Sequence, residues 1–223
     1  MIQPTDSGKM QCKQHICCFV VYFERGTPML KNPQDRRARR TASMIKETML
    51  SFMEHTPIHQ ISVSEICKAC QINRATFYDH YRDVFDLVQD LENDMLLAIQ
   101  GLMETVSPEG IAAEEVSRLF FDFLADHRRN LQLLLTSERS REFSIRLDSV
   151  LMPFFEKKIR QNYVIPAGME QELRSAMEFT ANGYYRFFLL ALTQSRRDIV
   201  AEAALCARLS DACLRALFAP KDK

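Results

Sequence analysis

Between Gln71 and Asp83 the sequence reads QINRATFYDHYRD. Arg74, Thr76, Tyr78 and His80 stand side by side there, and Phe77 is the one large, purely apolar side chain in about two helical turns. A core helix would be greasier, and a solvated one would carry more Glu and Lys. These side chains suit contact with a nucleic acid. Arg74 can fork onto guanine or a phosphate, and Ala75 and Thr76 can meet a thymine methyl or a base-edge acceptor. Tyr78 and His80 can fix register through phosphate oxygens without reading sequence.

For those groups to share one surface, the stretch must be a short helix with Phe77 turned inward, against Ile66, Ile72 and Phe52. Asn73 can cap it. SVSEICKAC before it places Ser62 and Glu65 at capping-box spacing, which predicts another short helix with Val63, Ile66 and Cys70 inward. QIN separates the two. Upstream, from Arg40, the residues Ala42, Ile45, Met49, Phe52 and Met53 form one apolar stripe on a helix that Pro57 closes. Two short helices behind a longer amphipathic one match a helix-turn-helix plan, whose second helix enters the major groove. The segment KNPQDRRARRTASMIK (31–46) holds six basic residues and one acid. It can be a phosphate footprint or simply a solvated terminus.

Asp83, with Asp86 three residues on, starts a fourth helix carrying Phe85, Leu87, Val88, Leu91, Met95, Leu96 and Ile99. Gly101 and Pro108-Glu109-Gly110 read as its break. Helical periodicity then covers 112–130 running into 131–135, with Leu119, Phe120, Phe123, Leu124 and Leu131 inward. It continues over 143–163, with Ile145, Leu147, Leu151, Phe154 and Phe155 inward and an interruption or kink at Pro153. Two more helices are expected over 170–193 and 198–218. Strand patterns are absent, so the fold class is all-α.

Composition narrows the function. The 223 residues are 47% hydrophobic and 26% charged, enough apolar mass for a core, and six Gly and eight Pro leave little room for a turn-rich β fold. Formal net charge is zero, so only its distribution is informative. Seven irregularly spaced Cys in a chain of this size read as reduced thiols in a cytoplasmic protein. No run reaches the roughly 18 apolar residues of a membrane span, so no membrane partner is expected. HICCFVVYF (15–23) is too short and lacks a cleavage site behind it. Cys67 and Cys70 have redox or metal spacing, but no second CxxC or paired His completes a zinc site. They read as small core residues. Cys12, His15, Cys17 and Cys18 could in principle bind a metal, but they lie in the N-terminal segment read as disordered or extra. No metal or cofactor is expected. No Ser/His/Asp set or Gly-rich phosphate loop appears, so the chain is not read as an enzyme. Residues 1–35 form a disordered or extra segment, and Met29 is a candidate native start.

The run SVSEICKACQINRATFYDHYRDVFDLV resembles the DNA-binding domain of TetR-type (TetR/AcrR) transcriptional regulators. Ser62, Val63, Ile66, Ile72, Thr76, Phe77, Tyr78, His80 and Tyr81 fall in step with that family's pattern, and the resemblance spans about residues 36–95. Gln71 stands where the family's turn has Gly, which predicts a left-handed backbone. Cys67 and Cys70 stand at Ala positions. Val84 stands where the family's Lys meets phosphate, one counterion fewer per half-site; Arg82 or Arg36, Arg37, Arg39 and Arg40 can compensate.

The resemblance implies an N-terminal three-helix DNA-binding head over 36–82. A linker helix and a helical ligand-sensing, dimerising body would follow over 83–223. Its DNA-contacting set is Arg40, Ser62, Arg74, Ala75, Thr76, Tyr78, His80 and Arg82. The body's aromatics either fill a core or line an apolar effector pocket, for which Phe120, Phe123, Phe154, Phe179 and Tyr184 are the candidates. Phe188, Cys206, Leu209 and Cys213 are the candidate dimer-interface residues, since Cys206 and Cys213 share one face of the last helix. The implied function is a homodimeric repressor on a palindromic double-stranded operator, released by a small-molecule effector of unknown identity. The alternative is a helical protein-interaction module or co-regulator that binds DNA weakly or not at all.

Overall fold

A computed structural model of the chain describes residues 33–106, 113–193 and 199–221. Helix α1, Pro33–Met53, begins seven residues before the expected start at Arg40, because Pro33 is suited to a first turn and the Arg-rich stretch continues the helix into solvent. Ile45, Met49 and Leu50 are its buried residues. After Pro57 a 3-10 turn, Ile58–Gln60, drops Ile58 into the core. Helix α2, Val63–Cys70, opens on the full Ser62–Glu65 capping box.

The turn after α2 has the expected left-handed residue: Gln71 sits at φ 53°, ψ 40°. Its N–H donates to the Lys68 carbonyl at 3.3 Å and Ile72 N–H to the Cys67 carbonyl at 3.0 Å, the paired bonds of a Schellman motif. Helix α3, Arg74–Tyr78, follows at once. Cys67 and Cys70 are both buried in this small core, as expected.

Helix α4, Val84–Thr105, is capped by Asp83, whose carboxylate accepts from Asp86 N at 2.8 Å. The expected break at Gly101 does not occur. Gly101 is buried inside α4, and the apolar stripe runs on through Leu102, Met103 and Val106. Phe85, expected inward, is exposed. Residues 108–110 lie outside those described.

The body comprises α5 (Ala113–Asp126), α6 (Arg128–Thr136), α7 (Ser140–Asn162), α8 (Glu170–Thr193) and α9 (Ile199–Arg215). The expected single helix across 112–135 is divided at His127. Phe121, absent from the expected face, is almost fully buried, whereas Phe120 is half-buried. Helix α7 passes through Pro153 without interruption. Its inward register is Phe143, Leu147, Val150, Leu151 and Phe154. Ile145, two residues from Phe143 and Leu147 alike, therefore turns outward and is exposed.

Beyond the helices, Tyr163–Val164 (β1) pairs antiparallel with Ala219–Pro220 (β2). This two-residue ladder ties the end of the chain to the end of α7, and it corrects the expectation of no strands. It is too short to leave an alternating pattern.

The apolar residues form two clusters. The larger one joins the head, α4 and the inner faces of α5, α6 and α7. The smaller one gathers Ile159, Tyr163, Leu173, Ala176, Met177, Leu214 and Phe218 at the opposite end of the body. Gln71→Gly is expected to stabilise the chain by about 0.5–1 kcal/mol, because glycine adopts this backbone without a Cβ penalty. Urea denaturation of the two proteins checks it; an unchanged or lower midpoint would mean that the Gln71 conformation carries no strain.

Candidate nucleic-acid interface

Helix α3 is too short to hold itself, so its neighbours fix it. Asn73 Oδ1 accepts from Thr76 N at 2.7 Å. Phe77 is completely buried beside Ile66, with Ile72 and Phe52 packed on the same cluster. That pins one face inward and leaves Arg74, Ala75 and Tyr78 exposed, with Thr76 and His80 half-buried beside them. Tyr78 stands edge-on to Phe77 with ring centroids 5.7 Å apart. His80 leans on Tyr81 at 6.1 Å. The five α3-region residues singled out in the sequence are therefore brought to one end of the head.

The three flanking residues differ. Arg40 is exposed on α1. The Ser62 hydroxyl is occupied by the capping box: Oγ accepts from Glu65 N at 3.3 Å and donates to Glu65 Oε2 at 2.6 Å. Those bonds hold the Glu65 carboxyl below the usual range. Arg82 bonds Asp86 through both its backbone N (3.0 Å) and its guanidinium (2.9 Å), which lowers the Asp86 pKa. Val84, expected at a phosphate-facing position, is only 7% exposed and belongs to the core.

Two features escaped the sequence reading. Arg74 Nη2 donates to Ser64 Oγ at 2.5 Å, so α2 supports the first residue of α3. Nothing in the composition of α2 signals that pairing. The second is Glu92, 1% exposed, which accepts from Arg139 at 3.3 Å and Arg146 at 2.8 Å. Its place between Val88 and Met95 in the apolar register of α4 was the available signal.

On its other side α4 holds the head. Lys46 Nζ lies 2.7 Å from Asp90 and 2.5 Å from Asp94, and the Tyr81 hydroxyl donates to Asp90 at 3.0 Å. Burial raises the Asp94 pKa against the opposing pull of Lys46, and it raises that of Tyr81. The body also touches the head directly: Arg129 on α6 reaches Glu47 of α1 and Glu54 just beyond it, each at 2.5 Å.

The candidate effector residues separate. Phe154 meets Phe155 edge-on at 5.7 Å, and Phe155 stacks on Tyr184 at 6.2 Å. Phe120 is half-buried against the larger cluster. Phe123 is buried core, 4.3 Å from the His127 ring, and Phe179 is 72% exposed. Helix register turns Phe123 into the core and Phe179 to solvent, away from any interior site. Of the dimer candidates, Leu209 is 52% exposed and Cys213 half-buried. Cys206 is only 3% exposed, already covered within its own chain, which removes it from that set. The Phe188 side chain lies outside those described.

No family model and no curated protein matches the chain. Solved structures do. A TetR transcriptional regulator from Streptococcus agalactiae 2603V superposes with a TM-score of 0.60 at 18% identity, over 83% of this chain and 98% of that one. The chain has the TetR-type fold. The fatty acid degradation regulator FadR from Bacillus halodurans gives a TM-score of 0.56 at 19% identity, over 81% of this chain and 96% of its own. A TetR/AcrR-type regulator from Aquifex aeolicus VF5 gives 0.56 at 20% identity, over 77% and 98%. In TetR-type terms, α1–α3 correspond to the head that the sequence resemblance covered, and α5–α9 to the body it did not. No described helix is long and apolar enough to cross a membrane.

Asn73→Ala is expected to destabilise the chain by about 1 kcal/mol, because α3 has little besides this cap and Phe77 to hold it. Chemical denaturation measures the loss, and no loss would show that the cap is dispensable.

Proposed function

We propose that this chain is a homodimeric, DNA-binding transcriptional regulator, a repressor that occupies a palindromic operator and leaves it when a small molecule enters its body. The observation that carries this reading is α3: Phe77 fully buried behind it, and Arg74, Ala75 and Tyr78 presented together at the end of the head. Residues 36–82 would be the DNA-binding unit and 83–223 the linker, sensor and dimer unit. Arg74 would read a base edge, Ala75 and Thr76 would supply apolar and hydroxyl contacts, and Tyr78, His80 and Arg40 would hold phosphates. Two heads would meet half-sites about 34 Å apart. An effector that changes this spacing needs a coupling of only about 1–3 kcal/mol.

A second copy is supported by the outer face of α9. Ala204, Leu205, Leu209 and Ala212 are exposed there at helical spacing, and Phe179 of α8 is exposed too. The opposite face of α9 packs on α5 and α8. Replacing Leu209 by Glu should place a charge in the shared face and convert dimer to monomer. Sedimentation velocity at fixed concentration reads this directly, and an unaltered dimer would assign the interface elsewhere.

The DNA-binding reading is tested by fluorescence anisotropy against the promoter region upstream of the chain's own gene, at two salt concentrations. Specific binding that falls steeply with salt is expected. Arg74→Ala should cost about 1–3 kcal/mol and relax the preference at one base pair. Tyr78→Ala should weaken all sequences alike. Val84 and the engaged Arg82 favour a second reading, a helical protein-interaction module. Binding no tighter than to random DNA across a genomic fragment pool would select it.

A further inference from the structure

Several hydroxyls of helical Thr and Ser residues return to their own backbone. Thr41 donates to the Arg37 carbonyl at 3.0 Å, Thr105 to Gly101 at 3.0 Å, Thr136 to Gln132 at 2.7 Å and Ser144 to Ser140 at 2.7 Å. Thr180 on α8 does not. Its Oγ1 is buried and has no hydrogen-bond partner among the described residues. A buried hydroxyl left unpaired is costly, and native structures keep few of them.

Its location suggests what it serves. One turn before Thr180, Ala176 and Met177 belong to the smaller apolar cluster; one turn after it, Tyr184 packs against the larger one. Thr180 thus lies in the seam where α8 passes from one core to the other. Tyr184, four residues on, shares its helix face. The aromatic set Phe154, Phe155 and Tyr184, all half-buried, lies next to that seam. Lys158 Nζ lies 5.9 Å over the Phe154 ring, and other charged and polar neighbours turn elsewhere. Glu178, Asn182 and Arg186 are exposed, and Glu156 is held by Arg160 at 2.9 Å. The seam therefore offers aromatic faces and, beside the Tyr184 hydroxyl, the Thr180 hydroxyl that can both donate and accept.

We propose that the seam between the two cores is the effector site, and that its ligand is an uncharged aromatic molecule with one hydrogen-bonding group directed at Thr180. This rests on the effector reading above and adds the place and the chemical class. The ligand would sit among Phe154, Phe155 and Tyr184, with its polar group completing the Thr180 hydroxyl.

The test uses the full chain, with 2-naphthol and 2-methylnaphthalene as probes of nearly equal shape, titrated by calorimetry. Wild type should prefer 2-naphthol by about three- to tenfold, the worth of one hydrogen bond. Thr180→Val, which replaces the hydroxyl by a methyl group, should abolish that preference, and Thr180→Ser should keep it. Without ligand, Thr180→Val should melt at a higher temperature than wild type, because it removes an unsatisfied buried group. A preference that survives in Thr180→Val, failure of both probes to bind wild type, or a lower melting temperature for Thr180→Val would each overturn the proposal. Operator binding measured on the same samples separates the two levels. Specific DNA binding with no naphthol site leaves the regulator reading standing and removes only this assignment.

Discussion

Everything in this molecule hangs from the buried carboxylate of Glu92. A charge at 1% exposure is tolerable only when its lone pairs are taken, and here two arginines take them: Arg139 just before α7 and Arg146 within it. Removing either partner would leave an expensive charge in the core, so α4 and the start of α7 hold one relative position. On the opposite side, α4 is fixed to the head by Lys46 between Asp90 and Asp94, and by Tyr81 on Asp90. One helix thus carries the head on one face and the body on another, each through groups that cannot slide gradually. A displacement of α4 must exchange whole ion pairs.

The head needs that support. A three-helix unit of this size buries little surface alone, and α3 has only five residues. The larger apolar cluster resolves the difficulty by running without a gap from Ile45 and Phe77 through α4 into the body. Arg129, bridging Glu47 and Glu54, adds a direct polar tie between α6 and α1. Head and body therefore share one core, and a change of packing in the body has a physical route to α3 that does not depend on a flexible joint.

The sequence made the head legible because its signals are local. The Ser62–Glu65 box, the Asn73 cap, the left-handed Gln71 and the inward Phe77 each depend on residues a few positions apart, and each is present in the structure. The body was legible only as a set of helices. Its helix starts and stops follow tertiary packing: Gly101 sits inside a helix because its neighbours are buried, and Pro153 is carried through because α7 is held on both sides of it. Periodicity marks an apolar face but not what covers it. So Cys206 and Phe179 were assigned to surfaces that the packing then exchanged. Glu92 and Thr180, the two polar groups that matter most in the body, are single residues in apolar stretches with no motif around them.

The electrostatics of α1 complete the picture. Arg36, Arg37, Arg39 and Arg40 are helical and exposed, so Arg36 meets Arg39 and Arg40 at three- and four-residue spacing. Like charges at those spacings each cost a helix about 0.2–0.5 kcal/mol. The buried contacts of α1 begin only at Ile45, beyond these arginines. A polyanion beside this face would turn that repulsion into attraction, and the release of its counterions would add to it. At the start of α4, Val84 is in the core, while Arg82, paired with Asp86, keeps an exposed guanidinium. In the DNA-bound state proposed above, the far end of α1 would add phosphate-binding charge one helix removed from α3.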